Sequence, residues 1–469
     1  MTVRFKHSVL LIFIFLLLTN LAQGVNDTLY LTFDKAIDLS LKNNKQIMIA
    51  QEKVKSQVAG KGIARASFLP QINLSGTYTR LASSQGFPMS FSIPGKIKFP
   101  VYGLDGTIIG YTESIPTTIA TITETLNLVN KDNYKIGVSA TQTLFTWGKL
   151  INAYKIAGLS LDIEKESYKK VIEDLKLQVT ETFYQTMLTE KGVQFMNESY
   201  EQMQRHINQV EKMYQSGMVG QLDLLRAKVA LTNMHTQLIR LKNTRTLAYS
   251  ALLMILGISD EQPVKLQGDF NFEPYKIELD NAIDIALRER VDINNMKRTV
   301  DITHKGLTIQ KTANLPNVFT AFNYSYSKPF SITDEGWGQD WNVTLGASMP
   351  LFTGGANLYK IKQSKSQLKQ AKLGLSMLED AVKLDVKSNY FNYEQENEIF
   401  SYQDENVATA KKAMNLAEEK YNNGLITNLE YIDTELALTQ AKFDQMNSIA
   451  NCIIAKAKLF NAMGKTENY

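Results

Sequence analysis

Proline is scarce and unevenly placed. The chain of 469 residues has 10 prolines. They fall between Pro70 and Pro116, at Pro263 and Pro274, and at Pro316, Pro329 and Pro350, so residues 117–262 and 351–469 have none. Proline breaks helix interiors, and two such stretches point to long unbroken helices. A compact multi-domain enzyme would spread proline through its loops, so that class is disfavoured. Cysteine is nearly absent too. Cys452 stands alone, which excludes a disulfide scaffold or zinc site within one chain. No run of one charge sign stands out, and a net charge of +4 argues against a nucleic-acid binder. His206, His235 and His304 are far apart and lack metal-ligand spacing. Nucleophile elbows, phosphate loops and zinc-protease motifs are missing. Neither a catalytic centre nor a cofactor is expected. The chain is not poor in apolar residues: 44% apolar and 10% aromatic content is too rich for disorder.

Residues 1–24 read as a signal peptide. Arg4, Lys6 and His7 precede the apolar run Val9–Leu18, and Ala22-Gln23-Gly24 offers a small-residue cleavage site. The run is shorter than the ~20 apolar residues of a spanning helix, the competing reading. No cysteine follows the cleavage site, so an N-terminal lipid anchor is not expected. No later segment has ~18 consecutive apolar residues, so a membrane would have to be entered by strands closed into a barrel.

The chain repeats itself. LTFDKAIDLSLKNN from Leu31 matches IELDNAIDIALRER from Ile277, and Phe68–Thr79 matches Asn314–Ser325 at the same offset. Thr143–Gly148 then matches Pro350–Gly355, and YQSGMVGQLDLLRAKVALT from Tyr214 matches YNNGLITNLEYIDTELALT from Tyr421, at a second, shorter offset. Segments in order on two constant offsets indicate duplication. The expected organisation is a first repeat over 25–262, a link over 263–276 and a second repeat over 277–469. The first repeat carries extra residues within 81–133, expected to form a long surface loop.

Each repeat reads as helix, hairpin, long helix, turn, helix. Asp34 to roughly Ser67 has helical spacing, ended at Leu69-Pro70. Ile72, Leu74, Gly76 and Tyr78 alternate with polar residues, as do Tyr134, Ile136, Val138 and Ala140. The stretches from Val318 and Trp341 alternate likewise. Period two means strands with one apolar and one polar face. Trp147, Trp337 and Trp341 lie in or beside these strands, which suits an aromatic belt on a membrane barrel. An ordinary soluble sandwich is the alternative. Val193, Met196, Tyr200, Met203, Ile207, Val210 and Tyr214 then step by alternating threes and fours, the spacing of a coiled-coil seam. Two hairpins give too few strands to close a barrel, and open edges are not tolerated in lipid. An oligomer is therefore required, although strand counting alone does not choose between two and three copies.

The signal peptide, the repeat, the element order and the Tyr-x-x-Gly-(Leu/Met)-x-x-x-Leu-(Asp/Glu) turns at Tyr214 and Tyr421 together resemble the TolC-like outer membrane efflux proteins. The resemblance covers essentially all of the mature chain. It implies a mainly α fold with a membrane β-barrel: tandem helix–β-hairpin–long helical hairpin repeats assembled as a trimeric α/β-barrel channel-tunnel. It implies a homotrimer in the outer membrane extending into the periplasm, the exit duct of a tripartite efflux or type I secretion system. A periplasmic adaptor and an inner-membrane transporter of the RND, ABC or MFS type would be partners. The competing class is a periplasmic or surface coiled-coil scaffold without a pore.

The two turns are the expected functional focus. Glycine suits a left-handed helix end, Asn428 is placed to cap the following helix, and acids favour the positive end of that helix. By resemblance, Gly217, Met218, Val219, Gly220 and Leu222, with Gly424, Leu425, Ile426 and Leu429, form tips that dock the adaptor. Also by resemblance, Glu430 and Asp433 ring the entrance, and Asp223 and Tyr421 match two members of a gate network. Its arginine position holds Ile426 here, with Arg226 as a candidate substitute.

Overall fold

The structure, a computed structural model, describes residues 28–83, 85–268, 270–331 and 334–465. The expected signal peptide lies outside them. In chain order the elements are β1 (Leu29–Leu31), α1 (Phe33–Asn43), α2 (Lys45–Ala66), β2 (Gln71–Arg80), β3 (Gln85–Ile97), β4 (Pro100–Tyr102), β5 (Ile108–Tyr111), β6 (Ile115–Val129), β7 (Asp132–Phe145), α3 (Lys149–Gln215), α4 (Gln221–Leu256), β8 (Val264–Leu266), α5 (Leu279–Glu289), α6 (Val291–Lys311), β9 (Asn317–Lys328), β10 (Gly338–Ser348), α7 (Ala356–Asn422) and α8 (Asn428–Ala462). They fall into two units. One comprises residues 62–155 and 305–363; the other holds the rest.

The first unit centres on an antiparallel sheet ordered β10-β9-β7-β2. Directly opposed residues share a face. Ile72 and Leu74 of β2, Ile136 and Val138 of β7, Phe322 and Tyr324 of β9, and Trp341, Val343 and Leu345 of β10 line one face. Asn73, Ser75 and Thr77, Lys135 and Ser139, Asn323 and Ser325, and Asp340, Asn342 and Thr344 line the other. Leu74 and Leu345 are 75% and 73% exposed in the single chain, so the apolar face is left uncovered. A soluble sandwich would bury that face against a second sheet.

Aromatic rows mark both ends of the strands. Tyr78 stacks on Tyr134 at 4.9 Å, and Trp337 stacks on Tyr326 at 4.9 Å. At the opposite ends Phe145 meets Trp147 at 5.1 Å, and the Trp147 indole N–H donates to the Pro316 carbonyl at 2.9 Å. Tyr134 to Phe145 is about 37 Å of strand at ~3.4 Å per residue, or about 26 Å of height at a ~45° tilt. That matches the ~25 Å apolar band of outer-membrane barrels. Among the described residues β2 and β10 each pair on one side only.

The insertion expected as a long surface loop over 81–133 is built largely of paired strands. β3 pairs with β6 over most of their length, and β4 pairs with β5. The Leu81 N–H donates to the Lys131 carbonyl at 2.8 Å, so the β2–β7 hairpin runs on into β3–β6. Pro88, Pro94, Pro100 and Pro116 disguise these strands. A two-stranded ribbon is all edge, where a missing N–H is tolerated, and the register shifts at Ile93/Pro94.

The helical unit contains two equivalent cores. Ala36, Leu175, Val179, Leu252 and Leu256 are buried together in one. Their repeat partners Ala282, Val382, Val386, Leu459 and Met463 are buried together in the other. The helix expected from Asp34 to Ser67 is interrupted: Asn44 leaves the helical region at ψ 129°, separating α1 from α2. Its Oδ1 accepts from the Gln46 N–H at 2.7 Å, and its Nδ2 donates to the Ile255 carbonyl at 2.8 Å. A polar side chain that caps one helix and ties down another overrides the propensity to continue.

Candidate functional site

The two turns between the long helices share one backbone design. At the end of α3, the Met218 N–H donates to the Met213 carbonyl at 2.8 Å and the Gly217 N–H to the Tyr214 carbonyl at 3.0 Å. At the end of α7, Leu425 donates to Lys420 at 2.8 Å and Gly424 to Tyr421 at 3.0 Å. Gly217 and Gly424 sit at φ 74° and 69°, the left-handed helix ending that glycine permits. The helices that follow begin differently. Gly220 caps α4 without a side-chain bond. Thr427 caps α8 in a capping box: its Oγ1 accepts from the Glu430 N–H, and its own N–H donates to Glu430 Oε2 at 2.7 Å. Thr427, rather than the expected Asn428, is therefore the cap.

Asn428 instead joins three helices. It is buried, its Nδ2 donates to the Asp223 carbonyl at 2.9 Å, and its Oδ1 faces His206 Nε2 at 2.7 Å. Asp223 thus enters the network through its backbone. His206 is buried and lies flat on the Tyr431 ring, with centroids 4.0 Å apart and planes 13° apart. Tyr421 completes the cluster, 4.9 Å from His206 and 5.3 Å from Tyr431. Its hydroxyl has no hydrogen-bond partner among the described residues, and burial, reinforced by the Asp223 charge, pushes its pKa up. The seam continues with Ser199 hydrogen-bonded to Thr439 at 2.6 Å, and with buried Glu435. One Glu435 oxygen lacks a hydrogen-bond partner among the described residues, and burial raises the carboxyl's pKa.

The remaining expected residues lie around this cluster. Ile426, where the resemblance implies an arginine, packs with Val219 against Val210, Leu224, Met414 and Tyr421. An apolar side chain there leaves no place for an ionic latch. Arg226 is exposed and makes no ion pair among the described residues; it lines an open apolar groove of about 600 Å³ with Leu222, Leu225, Leu429 and Ile432. Glu430 and Asp433 are exposed, and the Thr427 N–H and hydroxyl hold the Glu430 carboxyl below the usual carboxylate range. Met218 and Leu425 project at 68% and 71% exposure, with Leu222 and Leu429 also exposed.

His206, Asn428, Tyr431 and Glu435 were not singled out by the sequence as functional. The usable signal was positional: His206 falls between seam residues Met203 and Val210 at helical spacing, which predicts burial. Among the described residues no three His, Cys, Asp or Glu side chains converge as metal ligands.

A sheet with one apolar and one polar face, two open edges and aromatic rows, on a chain whose long helical hairpins end in twin glycine turns, defines an outer-membrane channel protomer. Residues 36–258 and 282–465 match the profile described as "Outer membrane efflux protein", and the chain belongs to that family. It resides in the outer membrane and extends into the periplasm. The outer membrane efflux protein BepC of Brucella suis is 24% identical over 180 residues, 38% of this chain and 40% of that relative's length. The outer membrane protein TolC of Salmonella enteritidis is 20% identical over 354 residues, 72% of this chain and 70% of that relative. The fold is that of the Campylobacter jejuni CmeC outer membrane channel, with TM-score 0.73 at 15% identity over 93% of this chain and 87% of that one. It also matches VceC of Vibrio cholerae, with TM-score 0.71 at 14% identity over 93% and 97% of the two chains.

Proposed function

We propose that the protein is the passive exit duct of a tripartite efflux or type I secretion system. Three copies close a twelve-stranded barrel, β2 of one protomer pairing β10 of the next, and the helices line a periplasmic tunnel. The carrying observation is the sheet: its apolar face is uncovered, its polar face suits a wet lumen, and its two edges demand partners. A scaffold protein has no use for that arrangement. The duct carries no catalysis and needs no cofactor.

The turns are the entrance and the docking tips. Met218, Leu222, Leu425 and Leu429 offer exposed apolar contacts to the helical hairpins of a periplasmic adaptor, beside Gly217, Val219, Gly220, Gly424 and Ile426. Glu430 and Asp433 form an acidic ring that favours cations. Tyr421 and Asp223 hold the closed state through the buried cluster, with Ile426 contributing packing where an ionic latch is absent. An inner-membrane RND, ABC or MFS transporter delivers and selects the cargo. The test is purified trimer in planar bilayers, together with co-purification on a tagged copy. Cation-selective conductance and recovery of an adaptor with its transporter are expected; a folded oligomer with no conductance in any orientation would favour the scaffold.

A further inference from the structure

We infer that His206 is a proton-operated release for the seam between α3 and α8, loosening the turn region in mildly acidic solution. The inference rests on the reading of these turns as the duct entrance.

The hydrogen bonds fix where the protons are. Asn428 Nδ2 donates to a backbone carbonyl, Asp223 O, which only accepts. The Asn428 oxygen must therefore face His206, and His206 must donate from Nε2. A second proton has to go on Nδ1, and it creates a cation in a site that is 4% exposed, under the Tyr431 ring. A buried cation is expensive unless paired. Against it lie the rings of Tyr421 on α7 and Tyr431 on α8, and the charged groups that bear on those rings are Arg205 on its own helix, Glu418 on α7, Glu435 on α8 and Asp223 on α4. Arg205, Glu418 and Glu435 act on Tyr431, and Asp223 acts on Tyr421. None of these carboxylates is hydrogen-bonded to the imidazole; its partner is the neutral Asn428 amide.

Burial pushes the His206 pKa down, against the opposing Asn428 hydrogen bond. The packed seam therefore binds fewer protons than a parted one. Its stability is full above the ordinary imidazole value of ~6.5 and declines as pH falls below it. Glu435 has the opposite sign. Burial raises its carboxyl, so its contribution is present at low pH and is lost as pH rises through its folded value. Loosening between about pH 6.5 and pH 5 thus belongs to His206 and not to the buried acid.

The experiment is hydrogen exchange on the full chain in detergent at about pH 7.5 and about pH 5.5, corrected for intrinsic rates, with bilayer conductance on the same preparations. Wild type should exchange several-fold faster in acid across 199–210 and 428–438, and conduct more; His206→Gln should do neither. Equal acid acceleration in His206→Gln overturns the inference. So does slower exchange of wild type in acid, the result expected if the Tyr431 face stabilises the imidazolium by cation–π attraction. If His206→Gln fails to fold, the wild-type profile decides alone: a midpoint near 4, in the carboxylate range, overturns the inference, and one between about 5 and 6.5 supports it. Conductance with an unaltered acid response in the variant sinks the inference and leaves the duct standing. Acid-accelerated exchange abolished in the variant, with no conductance at any pH, sinks the duct and leaves the release.

Discussion

Arg290 stands where Asn44 stands one repeat earlier, and each reaches the end of a long helix. Asn44 Nδ2 donates to the Ile255 carbonyl at 2.8 Å; Arg290 Nη1 donates to the Ala462 carbonyl at 3.1 Å. The second repeat performs the same task with a charged side chain. Arg290 also binds Asp292 at 2.8 Å and Asp385 at 2.6 Å, with its own side chain only 15% exposed.

Removing these anchors should cost unequally. Asn44→Ala leaves a buried carbonyl unpaired and uncaps α2, a loss of about 1–3 kcal/mol. Arg290→Ala strands two carboxylates as well and should cost about 3 kcal/mol. Burial alone would raise the Asp292 carboxyl, but Arg290 outweighs it and the net pKa is lowered. That contribution is present above the ordinary Asp value of ~3.9 and fades as pH falls below it. Urea melts of detergent-held protein from pH 7 to pH 3 check both points; equal losses in the two variants would show that the ion pairs add nothing.

The glycines at helix ends are predicted to differ among themselves. Gly257 and Gly217 both have positive φ, at 66° and 74°. A Cβ on Gly257 would lie 2.7 Å from the Asn43 carbonyl oxygen, whereas one on Gly217 meets nothing within 4 Å. Gly217→Ala should cost about 1–2 kcal/mol, the left-handed penalty alone. Gly257→Ala adds a backbone collision and should cost clearly more. Thermal melts of the two variants decide it, and a Gly257→Ala melt no lower than that of Gly217→Ala would remove the collision from the account.

The two faces of one strand give the barrel its sharpest test. Val343 lies on the apolar face and Asn342 on the polar one. Val343→Arg places a charge in lipid at about 2–4 kcal/mol near the midplane, while Asn342→Arg places it in water at little cost. Outer-membrane yield of folded oligomer should drop for the first and hold for the second. The reverse ranking would mean that the sheet faces are assigned the wrong way round.

Much of this architecture is legible in period and spacing alone. The alternation at Ile72–Tyr78 and at Val318–Tyr326 is local, so the strands and their faces could be read directly. The twin turns were legible because glycine at Gly217 and Gly424 is demanded by backbone sterics alone. Long-range polar contacts were not. Asn44 looks like one more helical residue until Ile255 is beside it, and Asn428 looks like a cap until His206 and Asp223 claim both ends of its amide. The 81–133 hairpins were hidden because Pro88 and Pro94 break the pattern that identifies a strand, while a ribbon edge forgives them.

The acidic ring can be tested without disturbing the helix start. Glu430 is a poor first choice, since its carboxylate also closes the capping box with Thr427. Replacing it mixes the loss of charge with fraying of α8. Asp433 is exposed and forms no hydrogen bond or ion pair among the described residues, so Asp433→Asn removes charge and little else. Like charges gathered near a symmetry axis attract multivalent cations, and the attraction weakens as charges are removed. In a trimer the substitution removes three charges at once. Block of the channel by a trivalent cation should therefore weaken several-fold in Asp433→Asn, with single-channel conductance at high salt nearly unchanged. Thr427→Ala supplies the control: it should cost about 1 kcal/mol of stability through the cap and leave the block intact. Unchanged block in Asp433→Asn would place the ring elsewhere on the chain.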